Sequence, residues 1–83
     1  LGTTALDLKS GLSVLNSEEA EVKKAMISSA QEIICLADYS KFHHVAFAPF
    51  CSMEKINTLI TDNRIPPEEQ DLLQQRGIRI HVV

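Results

Sequence analysis

Ile33-Ile34-Cys35-Leu36-Ala37 is an unbroken apolar run closed by Asp38. A strand with one wet face alternates apolar and polar residues, so a run without alternation is the pattern of a central parallel strand covered on both faces. The sequence before it reads as a helix. Asn16 or Ser17 offers a side-chain acceptor to a first-turn N–H, Asn16 and Glu19 have capping-box spacing, and Glu18, Glu19 and Glu21 set negative charge at the positive helix end. Val22, Met26, Ala30 and Ile33 then recur at helical spacing, Ala25 and Ser29 widen the small-residue face, and Lys23, Lys24 and Glu32 are left to water. This spacing predicts a helix over residues 17–31 with one packed face.

After the run, Ser40 to His44 reads as a short turn or one-turn helix, and Val45-Ala46-Phe47-Ala48 as a second apolar strand stopped before Pro49. Ser52 is placed to cap a brief turn through Met53-Glu54-Lys55. A third strand starts at Ile56 or Thr58 and ends at Thr61, with Asp62 and Asn63 directly after it. Pro66-Pro67-Glu68-Glu69 opens a second helix, because proline tolerates a first turn and acids suit that end. Leu72 and Leu73 supply its stripe, and Gly77 is a left-handed cap. Ile78, Ile80 and Val82 alternate with Arg79 and His81, which predicts a half-buried edge strand. Residues 6–15 carry only short apolar beats around Gly11, compatible with a loop and a weak strand. Leu1 to Ala5 looks like the end of a strand entering a loop, as in a fragment of a longer protein. The order predicts an α/β fold, a largely parallel open sheet flanked by helices. Ligands of such sheets sit outside the carboxyl ends of strands, which draws attention to Asp38 and Asp62.

Composition narrows the function classes. A chain of 83 residues is one domain at most and buries only roughly 60 to 65% of its unfolded surface, so a partner or further polypeptide would help it. A net charge of -3 without a basic tract argues against a nucleic-acid surface on these residues. No apolar stretch reaches membrane-spanning length and none has the layout of a secretion signal, which reads as a cytoplasmic chain with no membrane partner. Cys35 and Cys51 lack CxxC spacing and read as small buried hydrophobes. His43, His44 and His81 raise a metal reading. Adjacent histidines on an extended segment point oppositely, however, and no HExxH or cysteine cluster accompanies them, so neither metal nor cofactor is expected. The GxSxG, GxGxxG and Walker A patterns are absent, and Phe42, Phe47 and Phe50 have no basic groove for base stacking.

Three ordered motifs carry a resemblance. The run E-A-E-V-K-K-A-M-I (Glu19 to Ile27), then L-A-D-Y-S-K-F (Leu36 to Phe42), then I-N-T-L-I-T-D (Ile56 to Asp62), preceded by G-L-S-V-L-N (Gly11 to Asn16), resembles the carboxyl-terminal effector domain of the DeoR family of bacterial transcriptional regulators. The resemblance covers essentially the whole chain. It implies a sensor related in fold to ribose-5-phosphate isomerase, of which these residues match the second half, with the glycine- and threonine-rich phosphate loops outside them. It also implies a phosphorylated sugar or related metabolite as effector, operator DNA bound through an amino-terminal winged helix-turn-helix outside this segment, and a homo-oligomeric full-length protein whose repression the effector relieves. No enzyme activity is implied.

Carried over by position, Asp38 and Lys41 match the D-x-S-K-F motif beside the sugar-phosphate pocket. Lys41 is a compact cation for a phosphate or sugar hydroxyls, and Asp38 accepts from hydroxyls or orients the lysine. Glu19 matches the family's helix-start acid and, with Asp62, completes the candidate ligand set. Asp38 also fits a turn cap, Asp62 an Asx-turn, and Glu19 helix-end electrostatics. Members of that family usually carry Gly after the Phe, whereas His43 and His44 follow Phe42 here. Two other readings compete. One is a fragment of a phosphosugar isomerase-like enzyme, with Asp38 as acid or base and Lys41 holding phosphate or stabilising an enediolate; the other is an oligomerisation module.

Overall fold

Gly11 reverses the chain at a φ of +87°, a left-handed conformation, and a Cβ there would stand 2.2 Å from the Cys51 carbonyl oxygen. Only glycine fits both demands. The reversal is helped by the Asp7 carboxylate, which accepts from the N–H groups of Lys9 (3.1 Å) and Ser10 (2.7 Å). In this computed structural model, which describes residues 1–83, the chain runs β1 (Ala5–Asp7), β2 (Gly11–Val14), α1 (Ser17–Ser29), β3 (Ile34–Leu36), a 3-10 turn (Tyr39–Lys41), β4 (Ala48–Cys51), a second 3-10 turn (Met53–Lys55), β5 (Thr58–Thr61), α2 (Pro67–Gln75) and β6 (Arg79–Val82).

The fold is α/β, with two three-stranded sheets in place of one largely parallel sheet. β1, β2 and β4 form an antiparallel sheet in that order, while β3, β5 and β6 form a parallel one. The expectation of a single sheet failed because the connector after β3 contains only a three-residue 3-10 turn and no α-helix. Parallel neighbours need a long crossover, so the second apolar segment leaves the sheet of β3 and pairs with β2. It also starts later than the residues suggested, at Ala48, and includes Pro49. Proline is admissible there because β4 lies at a sheet edge, where its missing N–H costs no ladder bond. The weakly read residues 6–15 are the hairpin β1–β2, and Leu6, Leu12 and Val14 are fully buried.

Helix α1 ends at Ser29, short of residue 31, and Asn16 rather than Ser17 caps it, its Oδ1 accepting from the Glu19 N–H at 2.8 Å. Its packed face also differs from the expected stripe. Ala20 is buried and Lys23 and Ile27 are half-buried, whereas Val22 and Met26 are exposed. Ala20, Lys23 and Ile27 lie on one helix side, and small Ala20 lets α1 settle onto β2 and β4. Lys23 was expected to stay wet, yet its Nζ lies 5.7 Å from the centroid of the Phe50 ring. In α2, Leu73 enters the core while Leu72 stays half out. Pro66 and Pro67 open that helix, and Gly77 ends it at φ +88°. Ser52 makes no side-chain cap.

One cluster joins the sheets, with Leu12, Val14 and Phe50 from the antiparallel side, Cys35 and Leu59 from the parallel side, and Leu73 and Ile78 from the end of the chain. The parallel sheet is packed on this side only. Cys35 and Leu59, paired in register, are fully buried, but Ile34 and Leu36 on the other face are 40% and 56% exposed. The unbroken run therefore does alternate in exposure within these residues. Leu1 and Gly2 lie beside β3: Gly2 makes an isolated parallel bridge to Leu36, and the Leu36 N–H donates to the Leu1 carbonyl at 2.8 Å, while Ala5, expected in a loop, opens β1.

Candidate functional site

Because β3 and β5 are parallel with Leu36 beside Ile60, the segments Ala37-Asp38 and Thr61-Asp62 leave the sheet at the same end. There the chain breaks into turns that its polar residues fix. Asp38 caps the 3-10 turn: its Oδ1 accepts from the Ser40 N–H at 2.9 Å and from the Ser40 hydroxyl. Asp62 makes the expected Asx-type turn, its Oδ1 accepting from the Arg64 N–H at 3.2 Å. A cavity of about 340 Å³ lies between these segments, lined by Leu36, Ala37, Asp38, Lys41, Ile60, Thr61, Asp62 and Val83. Three of the four residues picked out in the sequence thus meet at one hollow. Glu19 does not line it; it sits exposed in the first turn of α1, where its N–H completes the Asn16 cap.

Arg64 ties the two loops together. Its guanidinium reaches Asp62 Oδ2 from Nε at 3.1 Å and from Nη2 at 2.6 Å, and Nη2 stands 3.4 Å from Asp38 Oδ1. The bonds from Arg64 hold the Asp62 carboxyl below its usual range, with further help from the Tyr39 backbone N–H. The Ser40 hydroxyl and N–H, then the charges of Lys41 and Arg64, do the same for Asp38. Arg64 is itself pushed up by Asp62. Both acids are therefore ionised throughout the neutral range, with lone pairs left for hydroxyl donors.

Lys41 differs from Arg64 in having no partner. It is half-buried beside the cavity and takes part in none of the ion pairs of the protein. A cavity that Lys41 lines together with Leu36, Ile60, Val83 and two carboxylates suits a molecule that carries both an anionic group and hydroxyls. Sequence reasoning missed Arg64, although the D-N-R spacing of a turn residue and its arginine was available. It also missed Thr61, which lines the cavity and whose buried Oγ1 has no hydrogen-bond partner. A second hollow of about 260 Å³, lined by Leu1, Met26, Ile27, Ala30, Glu32, Ile33 and Ile34, brings no cationic side chain to a phosphate. No group of His, Cys, Asp and Glu is arranged to hold a metal. Both cysteines are buried, and burial pushes the Cys35 thiol up to about 11.

Comparison with known proteins agrees with the motifs. A family described as the DeoR C-terminal sensor domain matches residues 1–63. The HTH-type transcriptional regulator GlpR of Haloferax volcanii is 35% identical over 80 residues, which cover 96% of this chain and 31% of the relative. A putative aga operon transcriptional repressor of Escherichia coli O157:H7 is 31% identical over 100% of this chain and 31% of its own length. The HTH-type transcriptional repressor GlcR of Bacillus subtilis is 36% identical over 87% of this chain and 28% of its own. The chain thus spans about 31% of the length of the first of these relatives, all of which are regulators of transcription by name.

Proposed function

The chain belongs to the DeoR C-terminal sensor domain family, and from that premise we propose that it is the effector-sensing part of a transcriptional regulator that responds to a phosphorylated sugar or related metabolite. The observation that carries this reading is the unpaired Lys41 ammonium beside Asp38 and Asp62 at the carboxyl end of the parallel strands. In it, Lys41 meets the phosphate and the two carboxylates accept from sugar hydroxyls, while Leu36, Ile60 and Val83 form the floor. Glu19 stands at the start of α1, outside this cavity. Binding without turnover is the expected behaviour, since the relatives are regulators.

Residues 1–83 form, on this reading, the carboxyl-terminal portion of one sensor domain of the ribose-5-phosphate isomerase-like type. Two facts support it: the relatives are about three times longer, as a 31% share implies, and one face of the parallel sheet is left open with Ile34 and Leu36 on it. A winged helix-turn-helix outside this segment holds operator DNA in a cytoplasmic homo-oligomer, and the net charge of -3 keeps this segment itself off the phosphate backbone. No helix here is long and apolar enough to cross a membrane.

The test is fluorescence anisotropy of the full-length protein on DNA from its own promoter, with a panel of sugar phosphates and the matching free sugars. At least one phosphorylated sugar changes DNA affinity and its free sugar does not. A change produced equally by the free sugar, or by no member of the panel, contradicts the proposal.

A further inference from the structure

Glu69, in the first turn of α2, reaches across to the turn that carries Asp38 and Lys41. Its Oε2 accepts from the Tyr39 hydroxyl at 2.5 Å, and its buried Oε1, which has no hydrogen-bond partner, lies at ion-pair distance, 2.7 Å, from His43 Nε2. Tyr39 and His43 flank Lys41 on either side in the chain. They also touch each other, the hydroxyl lying 3.4 Å from Nε2 and the rings meeting edge to face. Tyr39 packs on buried Phe42 with ring centroids 4.9 Å apart, so the hydroxyl end is fixed from behind. His43 is the one non-glycine residue with positive φ, at 62°. A side chain rarely occupies that region unless its surroundings hold it there. The Glu69 carboxylate that faces the His43 ring is only 15% exposed.

We propose that Glu69 is a positioning residue of the effector site: by gripping Tyr39 and His43 it sets where the Lys41 ammonium stands over the cavity. The proposal rests on the effector reading above. It adds that α2 and the Lys41 turn move as one body, so the segment from Asp62 to Glu69 grips the turn from Asp38 to His43 at both ends. At the near end the grip is Arg64, which bridges Asp62 and Asp38. At the far end it is Glu69. None of these contacts uses Lys41 itself, which leaves the ammonium free for a ligand.

The experiment uses the full-length protein with inorganic phosphate as the probe, and reads two quantities. One is the affinity for phosphate; the other is the NMR signal of Lys41 after reductive methylation with carbon-13, assigned through Lys41→Arg. Glu69→Ala is expected to shift the Lys41 signal and weaken phosphate by about tenfold. Glu69→Gln restores both in part, because its single oxygen keeps the acceptor for Tyr39 while its NH2 group can only donate and so meets His43 only when Nε2 carries no proton. Tyr39→Phe falls between them. A Lys41 signal and affinity that are unchanged in Glu69→Ala overturn the proposal, as does a Glu69→Gln variant no better than Glu69→Ala. Failure of the effector reading looks different: Lys41→Ala then binds phosphate as the wild type does, or the wild type binds none, and the positioning role falls with it.

Discussion

The antiparallel and parallel halves of the protein have similar strand lengths but opposite states of cover. In the antiparallel half every residue of β2 is buried, with α1 over β2 and β4. In the parallel half the central strand β5 alternates between buried and half-buried residues, and β3 exposes Ile34 and Leu36 around a fully buried Cys35. Apolar residues on an open sheet face gain little from folding, while those in the closed half exclude water on all sides. The closed half therefore carries more of the stability of these residues. The cavity with Lys41, Asp38 and Asp62 lies at the end of the less covered sheet.

The largest effect that would break this contrast concerns Leu12 against Leu36. Leu12→Ala is expected to cost about 3 to 5 kcal/mol in urea unfolding of the 83-residue chain, and Leu36→Ala under about 1 kcal/mol. The same Leu36→Ala in the intact protein sharpens the point. A cost rising there toward about 2 to 3 kcal/mol means that further polypeptide covers the face, and an unchanged small cost means that it stays open. Next in size is Gly11→Ala, which forces a Cβ onto the Cys51 carbonyl at an unfavourable φ; a loss of roughly 2 kcal/mol is expected from the same unfolding curves. His43→Ala keeps the left-handed backbone and loses the contact with Glu69, for about 1 kcal/mol.

The smallest effect is electrostatic. Asp38 and Asp62 have carboxyls held below the usual range, so their contribution is present above the ordinary carboxylate value and is lost as pH falls through the depressed folded one. Amide signals of Asp38 to Lys41 and Asp62 to Arg64 are therefore expected to hold from pH 7 down to about pH 4 and to move only below it. Movement already between about pH 6 and 5 would show that the Arg64 bridge is absent in solution. Because Asp38 and Arg64 are exposed and Asp62 only half-buried, salt weakens the bridge as acid does.

Most elements were legible because local chemistry decided them. Asn16 with Glu19, the paired prolines and Gly77 marked the helix ends, and the alternation from Ile78 to Val82 marked the edge strand. Partnership between strands was not legible in the same way. Nothing local to Val45 to Cys51 announces that it joins β2 rather than β3, since the choice follows from a connector without an α-helix. Nor does helical spacing reveal which of two apolar stripes on α1 meets the sheet: Ala20 and Ile27 won over Val22 and Met26 because a small residue permits closer approach. Asp38, Lys41 and Asp62, which line one cavity, were picked out from motif and strand-end position. Glu69 and the bridge from Arg64 to Asp38 were not, because those partners lie far apart in sequence and only the fold brings them near, whereas the D-N-R spacing of Asp62 and Arg64 was local and overlooked.

The central claim is that Lys41 receives the phosphate of an effector. Isothermal titration of the full-length protein and of Lys41→Ala, with the sugar phosphate found active on DNA and its free sugar, tests it most directly. The account predicts binding of the phosphorylated form, weakened by about tenfold or more in Lys41→Ala, and negligible binding of the free sugar. Equal affinity of the two proteins for the phosphorylated sugar would contradict it.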